Sequence, residues 1–267
     1  MNRFRKLFQE PNRKAFIPFW MLGDPDPDRS LLIIKALLDA GVDALELGIP
    51  FSDPIADGPT IQRSAQRALA AGATVDRALK LIERLRRHTD LPIGLLVYFN
   101  LIYQRGLDAF CRQVRDVGVD AVLAADLPIE ESEGLEPSLR AHDLGCVHLV
   151  APNTPPSRAL HLIERSTAFA YVLSTFGTTG ARAQLDPSAE RKIRQLRACT
   201  KRPLVVGFGI SRPAQAEALY KAGADGVIVG SALVHRAEPF FDDPPALLQN
   251  IKSFVHEFHR EEVRQQC

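Results

Sequence analysis

Glu46 lies in a short apolar run, Ala44-Leu45-Glu46-Leu47-Gly48, that reads as a β-strand. Side chains alternate along a strand, so Leu45 and Leu47 face one way and Glu46 the other. The leucines suit a covering layer of helices, which leaves the carboxylate directed inward. An inward carboxylate is expensive unless it is paired or used. A structural salt bridge is one reading of Glu46, and proton transfer is the other. The following loop, Pro50–Pro59, holds three prolines, a glycine and the two aspartates Asp53 and Asp57. Such a segment is stiff and specifically shaped. Asp57 precedes a helical pattern starting near Thr60, where turn or capping chemistry is the ordinary role of an Asp-Gly pair. Asp53, ahead of Pro54, suits loop shaping or an outward contact. A second acid so soon after the strand favours use of Glu46 over mere pairing.

Three glycine-bearing segments stand far from these acids in sequence: Gly177-Thr178-Thr179-Gly180, Gly207-Phe208-Gly209-Ile210-Ser211 and Gly230-Ser231-Ala232. Glycine lets backbone N–H groups approach an anion, and a serine at a helix start adds a hydroxyl and the helix dipole. Each segment alone reads as an ordinary turn. Together, after three successive late strands, they point to a phosphate site. Tyr171, Phe19, Leu96 and Tyr98 fall on strands and suit either the core or the wall of a flat aromatic ligand. The seven histidines are scattered, and none takes a catalytic role.

These residues need a scaffold, and the chain supplies a regular one. Eight apolar runs read as strands: 15–21, 44–47, 93–98, 121–124, 147–150, 168–174, 203–206 and 226–229. They are rich in Val, Ile and Leu, as parallel strands covered on both faces are. Helical patterns alternate with them: 30–40 (with Ser30 as a cap), 75–87, 107–117, 131–142, 156–166, 188–198, 213–222 and 246–257. Residues 2–9 place Phe4, Leu7 and Phe8 on one helical face, suited to covering the bottom of a barrel. A repeat supports the layout: Ala40-Gly41-Val42-Asp43-Ala44, Val117-Gly118-Val119-Asp120-Ala121 and Ala222-Gly223-Ala224-Asp225-Gly226. Each ends a helix on a glycine able to take a left-handed cap and then opens a strand. The prediction is an α/β fold, a (β/α)8 TIM barrel with an N-terminal capping helix, spanning residues 1–267 as one domain. A doubly wound open sheet is the competitor. It usually has fewer strands, and no GxGxxG follows the first strand here. The proline-rich spots, including Pro244–Pro245, read as loop punctuation.

Composition narrows the class further. The 267 residues carry 33 Lys+Arg against 32 Asp+Glu, a balance with no sign of a nucleic-acid surface. Cys111, Cys146, Cys199 and Cys267 form no CxxC pair or zinc spacing, so reduced thiols are expected. The apolar stretch near Ala15–Leu22 is too short to span a membrane and lacks a cleavage pattern. A cytoplasmic protein without membrane or nucleic-acid partners is the expectation.

The segment Leu45-Glu46-Leu47-Gly48-Ile49-Pro50-Phe51-Ser52-Asp53-Pro54-Ile55-Ala56-Asp57-Gly58-Pro59-Thr60-Ile61-Gln62 resembles the signature of tryptophan synthase α subunits. Pro18-Phe19-Trp20-Met21-Leu22-Gly23-Asp24-Pro25 and Gly94-Leu95-Leu96-Val97-Tyr98-Phe99-Asn100 agree with it, and the resemblance runs from near residue 4 to near residue 256. It implies a lyase that cleaves indole-3-glycerol phosphate to indole and glyceraldehyde 3-phosphate. It implies Glu46 as general acid/base, Asp57 as the second catalytic carboxylate and Tyr171 near the reacting carbons. Gly180, Gly209 and Ser231, with Phe208 and Gly230 beside them, are implied to hold the phosphate; Phe19, Leu96 and Tyr98 to wall the indole. No metal or organic cofactor is implied in this chain. Pyridoxal phosphate is expected only in a β subunit, docked in an α2β2 complex against a surface including Asp53, Pro54 and Asn100.

The chain departs from the family pattern in places. Thr178 stands where the sixth loop usually has valine, Thr175 where enteric members have arginine, and Met21 replaces a frequent threonine. The lid loop and its coupling to a partner are what these changes touch. A stand-alone lyase of another indole pathway and a catalytically idle barrel that activates a β-type partner are the alternatives. A phosphate-binding barrel isomerase would not need the Glu46 and Asp57 arrangement.

Overall fold

The computed structural model describes residues 2–10, 13–174 and 187–263. Its strands are β1 (Ala15–Met21), β2 (Leu45–Gly48), β3 (Ile93–Val97), β4 (Ala121–Ala124), β5 (Gly145–Cys146), β6 (Leu149–Val150), β7 (Ala170–Leu173), β8 (Leu204–Gly207) and β9 (Gly226–Val229). The helices are α1 (Arg3–Leu7), α2 (Pro27–Asp39), α3 (Pro59–Ala70), α4 (Val75–Arg86), α5 (Phe99–Tyr103), α6 (Leu107–Asp116), α7 (Leu135–Ala141), α8 (Pro156–Arg165), α9 (Pro187–Cys199), α10 (Pro213–Ala222), α11 (Ser231–Ala237) and α12 (Pro244–Val263). Among the described residues no helix is long and apolar enough to cross a membrane.

All strand pairs are parallel, in the order β5-β4-β3-β2-β1-β9-β8-β7-β6. The sheet closes because β5 and β6 are consecutive pieces of one strand. Val147 donates to the Val122 carbonyl on one side, and the His148 carbonyl accepts from Tyr171 on the other. Eight strands with helices between them therefore form the expected (β/α)8 barrel. The fifth expected strand is the one that differs. It starts two residues earlier than the run 147–150, and its ladder passes from β4 to β7 in mid-strand.

Three helix starts also differ, each for a local reason. Asp26, not Ser30, caps α2 by accepting from the Asp28 and Arg29 N–H groups, with Pro27 in the first turn. Ser30 is buried and accepts instead from the Gly23 N–H. The pattern 131–142 splits into a single turn, Ile129–Glu131, and α7, because Pro137 fits only the first turn of a helix. Pro244 and Pro245 are not loop punctuation but the opening residues of α12, where their missing N–H groups need no partner.

The N-terminal rim is closed and tied. The Phe4 ring of α1 is buried, its centroid 5.2 Å from that of Phe169, and lies against Gly94 of β3. The repeated glycines Gly41, Gly118 and Gly223 all take positive φ, of 92°, 92° and 111°. The aspartate two residues after each glycine makes a reciprocal pair with the preceding strand. Asp43 donates to the Phe16 carbonyl (3.1 Å) and accepts from the Phe16 N–H (2.7 Å). Asp120 does the same with Ile93 (2.9 and 2.9 Å), and Asp225 with Leu204 (2.8 and 2.8 Å). Thr167 repeats the pair with Cys146 (2.9 and 2.8 Å) through its hydroxyl. With β5 and β6 counted as one strand, each odd strand is tied to the start of the even strand after it. Arginines complete the aspartate ties: Arg13 on Asp43, Arg3 and Arg86 on Asp120, and Arg197 on Asp225.

Candidate active site

At the other end the barrel opens into a cavity. Phe19, Glu46, Asp57, Leu96, Tyr171, Phe208, Gly209, Gly230 and Ser231 all line it. Strand register explains much of this: Glu46 of β2 sits beside Phe19 of β1 and Gly94 of β3. Leu45 and Leu47 are fully buried in the core, and Glu46 takes the inward position between them.

The two acids differ in surroundings. Glu46 is 4% exposed, and among the described residues no hydrogen bond reaches its carboxylate. Burial first, and the nearby Asp57 charge second, push its pKa up to about 8. Asp57 is equally buried, but the Tyr98 hydroxyl donates to its Oδ2 at 3.0 Å. Burial raises Asp57 to about 6, and the Tyr98 hydrogen bond holds it from rising further. At neutral pH Glu46 therefore carries its proton and Asp57 is mostly ionised.

The Asp57 loop is fixed from several sides. Tyr98 accepts from the Ala56 N–H (3.1 Å), and its ring stacks on Phe51 at 5.1 Å. Gln62 of α3 donates to the Asp57 carbonyl at 2.8 Å. Tyr98 thus stands behind Asp57 and does not line the cavity. Tyr171 is fully buried on β7, and burial together with the Glu46 and Asp57 charges keeps its hydroxyl protonated. Its hydroxyl occupies the space a side chain at position 207 would need, so only glycine fits there. The Phe19 ring packs the same way against Gly48 and Gly230.

After β8 the backbone turns through two successive left-handed residues, Phe208 (φ 71°) and Gly209 (φ 74°). That conformation is uncommon for phenylalanine, and such strain concentrates at functional sites. The Ser174 hydroxyl holds the Phe208 carbonyl, and the Phe208 ring meets Tyr171 edge-on at 5.9 Å. Ser231 opens α11, is buried and faces the cavity. Gly180, Thr175 and Thr178 lie outside the described residues. Asp53 and Asn100 are exposed, and Pro54 half-buried, on the loop and helix beside Tyr98.

Sequence reasoning missed Ile61, Ile210 and Ile228, which add apolar wall to the cavity. Ile61 carried a usable signal, since it sits one helical turn beyond Asp57 on the buried face of α3. The other two are ordinary isoleucines whose neighbours only the fold decides. Among the described residues one donor cluster is compact enough for a metal, namely Glu136, Cys146 and His148. It lies between β5 and α7 rather than in the cavity. Glu136 is already occupied by Ser132, His148 and Arg165, as in a satisfied buried network.

The tryptophan synthase alpha chain family matches residues 4–263. The chain is similar to a tryptophan synthase alpha chain from Methanothermobacter thermautotrophicus, 45% identical over 248 residues, covering 93% of this chain and 92% of the relative. It is similar to one from Cronobacter sakazakii, 43% identical over 261 residues, covering 96% and 97%. Among solved structures it resembles tryptophan synthase subunit alpha from Legionella pneumophila, with TM-score 0.87, 33% identity and coverage of 97% and 98%. It also resembles a chain of the tryptophan synthase a2b2 complex of Pyrococcus furiosus, with TM-score 0.85, 38% identity and coverage of 91% and 97%. Sequence and fold agree from end to end: the chain belongs to the tryptophan synthase alpha chain family.

Proposed function

We propose that this cavity binds indole-3-glycerol phosphate and cleaves it to indole and glyceraldehyde 3-phosphate, with Glu46 and Asp57 as its catalytic pair. The observation that carries the residue assignment is two buried acids facing one cavity, Asp57 held by the Tyr98 hydroxyl and Glu46 with no donor among the described residues, so that burial raises Glu46 further than Asp57. Pairs of acids driven apart by their surroundings divide acid and base work between them.

Protonated Glu46 gives its proton to C3 of the indole ring. The ring becomes cationic, and ionised Asp57 accepts a hydrogen bond from the ring N–H and stabilises that charge. The bond between C3 and the chain carbon then breaks, and its electron pair restores the aromatic ring. The chain hydroxyl nearest the ring becomes the aldehyde and loses its proton to the Glu46 carboxylate, which is ready for another turn. Tyr171 stands beside the reacting carbons, and Phe19, Leu96 and Ile61 wall the flat ring. Tyr98 acts through Asp57 rather than on the indole. Gly209, Gly230 and Ser231, with Phe208 and Gly180, hold the phosphate. The protonated indole serves as the electron sink, so the step calls for no cofactor in this chain. Residues 1–267 act as one barrel domain, in the cytoplasm.

The chain is the α component of a complex in which the β subunit carries pyridoxal phosphate. The docking surface is the rim at Asp53, Pro54 and Asn100. Two large apolar side chains stand exposed beside them, Ile55 (75%) and Tyr103 (67%). Passing apolar indole directly to a second site limits its loss. Docking against the Asp57 loop couples binding to catalysis. Indole release by the purified chain, measured while β subunit is titrated in, tests this reading. Low activity alone, rising about tenfold with the β subunit, is expected, a coupling of about 1.4 kcal/mol. Full activity unchanged by a bound β subunit identifies a stand-alone lyase. Silence in both states leaves a scaffold.

A further inference from the structure

Arg67 lies outside the cavity, yet it links three segments whose neighbouring residues line it. It sits on α3, the helix that opens two residues after Asp57. Its guanidinium grips Asp24, on the loop after β1, through both carboxylate oxygens at 2.7 and 2.8 Å. The same guanidinium donates to Glu238 at 2.6 Å, directly after α11, the helix that Ser231 opens. It also lies over the Phe241 ring at 5.1 Å. Asp24 is completely buried and is further held by Ser64, one turn before Arg67 on α3. The Asp24 carbonyl accepts from the indole N–H of Trp20, at 3.1 Å. Glu238 is half-exposed and receives Arg63 as a second partner at 3.5 Å.

A bidentate arginine fixes both distance and angle, whereas a lysine in its place would hold one partner as a point charge. The two arms of this arginine lead to opposite ends of the proposed substrate. One runs along α3 to Asp57, which serves the indole nitrogen. The other runs through Glu238 along α11 to Ser231, which serves the phosphate. We propose that Arg67 is a positioning residue that sets the spacing between the indole end and the phosphate end of the cavity. The role rests on the substrate placement given above. It makes the cavity selective for ligands of one length, because a ligand anchored at both ends feels a change in spacing that a ligand anchored at one end does not.

Removing Arg67 strands a buried Asp24, and Arg67→Met then loses folding stability. Glu238→Ala breaks only the outer arm and leaves the Arg67–Asp24 grip in place. The emission of Trp20, the single tryptophan, reports whether that grip survives. Two probes separate spacing from general damage. One is indole-3-propanol phosphate, which spans both ends and cannot be cleaved. The other is inorganic phosphate, which occupies one end. In Glu238→Ala, with Trp20 emission unchanged, binding of the two-ended ligand is expected to weaken about tenfold, since misplacement of about 1 Å can cost far more. Inorganic phosphate is expected to bind within about twofold of wild type, and Glu238→Gln, able to accept from Arg67, to recover most of the loss. Equal weakening of both ligands, or no change in either, overturns the proposal. A wild-type chain that binds both probes but releases no indole from substrate sinks the lyase reading alone, because the binding comparison stands without turnover.

Discussion

At the N-terminal rim, Asp120 accepts from the Ile93 N–H, from Arg3 at 3.0 Å and from Arg86 at 3.1 Å. Inside the barrel, Glu46 is just as buried, and among the described residues no donor reaches it. Both are carboxylates on one barrel, and among the described residues one meets several donors while the other meets none. The difference separates two uses of a buried charge. With donors around it, an aspartate ties strand to strand. Without donors, burial raises the proton affinity until the group exchanges protons near neutral pH. The rim carboxylates are spent on holding the barrel together, and the proposed active-site cavity is a local stability cost. Asp57 lies between these extremes, with one donor in Tyr98 and a pKa raised less than that of Glu46.

The contrast breaks most visibly at Glu46. Glu46→Gln keeps the shape and removes the exchangeable proton. Lyase turnover is expected to fall at least about a hundredfold with folding intact. Retention of a tenth of wild-type turnover would show that Glu46 is merely structural. The mirror experiment is Asp120→Ala, which leaves Arg86 half-buried and the Ile93 N–H without its acceptor. A loss of about 3–5 kcal/mol in chemical denaturation is expected, the usual cost of breaking a buried pair. The natively folded fraction should turn over substrate normally. A stability change under about 1 kcal/mol would mean that the ties at this rim are ornamental.

A third measurement sharpens the comparison through pH. Glu46 ionises at about 8 when folded, against 4.5 for an ordinary glutamate. Between those values the unfolded chain has released a proton that the folded chain keeps. The stability contributed by protonated Glu46 is thus full below pH 4.5 and is lost as pH rises towards 8. Glu46→Gln should stabilise the chain at pH 8 by a few kcal/mol and have little effect near pH 4. Equal effects at both pH values would place the ionisation elsewhere. The smallest change expected is at Thr167, where the strand tie is a neutral hydroxyl. Thr167→Val should cost about 1 kcal/mol, below the loss at Asp120, because hydrogen bonds to charged groups are the stronger. A Thr167→Val loss as large as that of Asp120→Ala would erase the distinction between charged and neutral ties.

Much of this was legible in the amino-acid order alone. Strand and helix alternation, the inward position of Glu46 and the repeated Gly-x-Asp segments follow from periodicity and glycine caps, which are local. So are the prolines that shift the starts of α7 and α12, although their meaning needed the first-turn rule applied position by position. The sequence also showed that Asp57 sits at a helix start and that glycines cluster after the late strands. It did not show what each group meets. That Asp225 binds Leu204, that Tyr98 supports Asp57 instead of facing the cavity, and that Gly207 exists to admit the Tyr171 hydroxyl are contacts between residues remote in the chain. Thr167 escaped the repeat because its segment lacks the glycine, and only its hydrogen bonds reveal the shared role. Proton affinity was likewise beyond reach, because two acids in one loop-and-strand motif differ only in which donors the closed barrel brings to them. Local sequence set where each side chain points, through strand alternation and helix caps; closure of the barrel decided which partners it found there, because desolvation and hydrogen bonding are properties of the assembled surroundings.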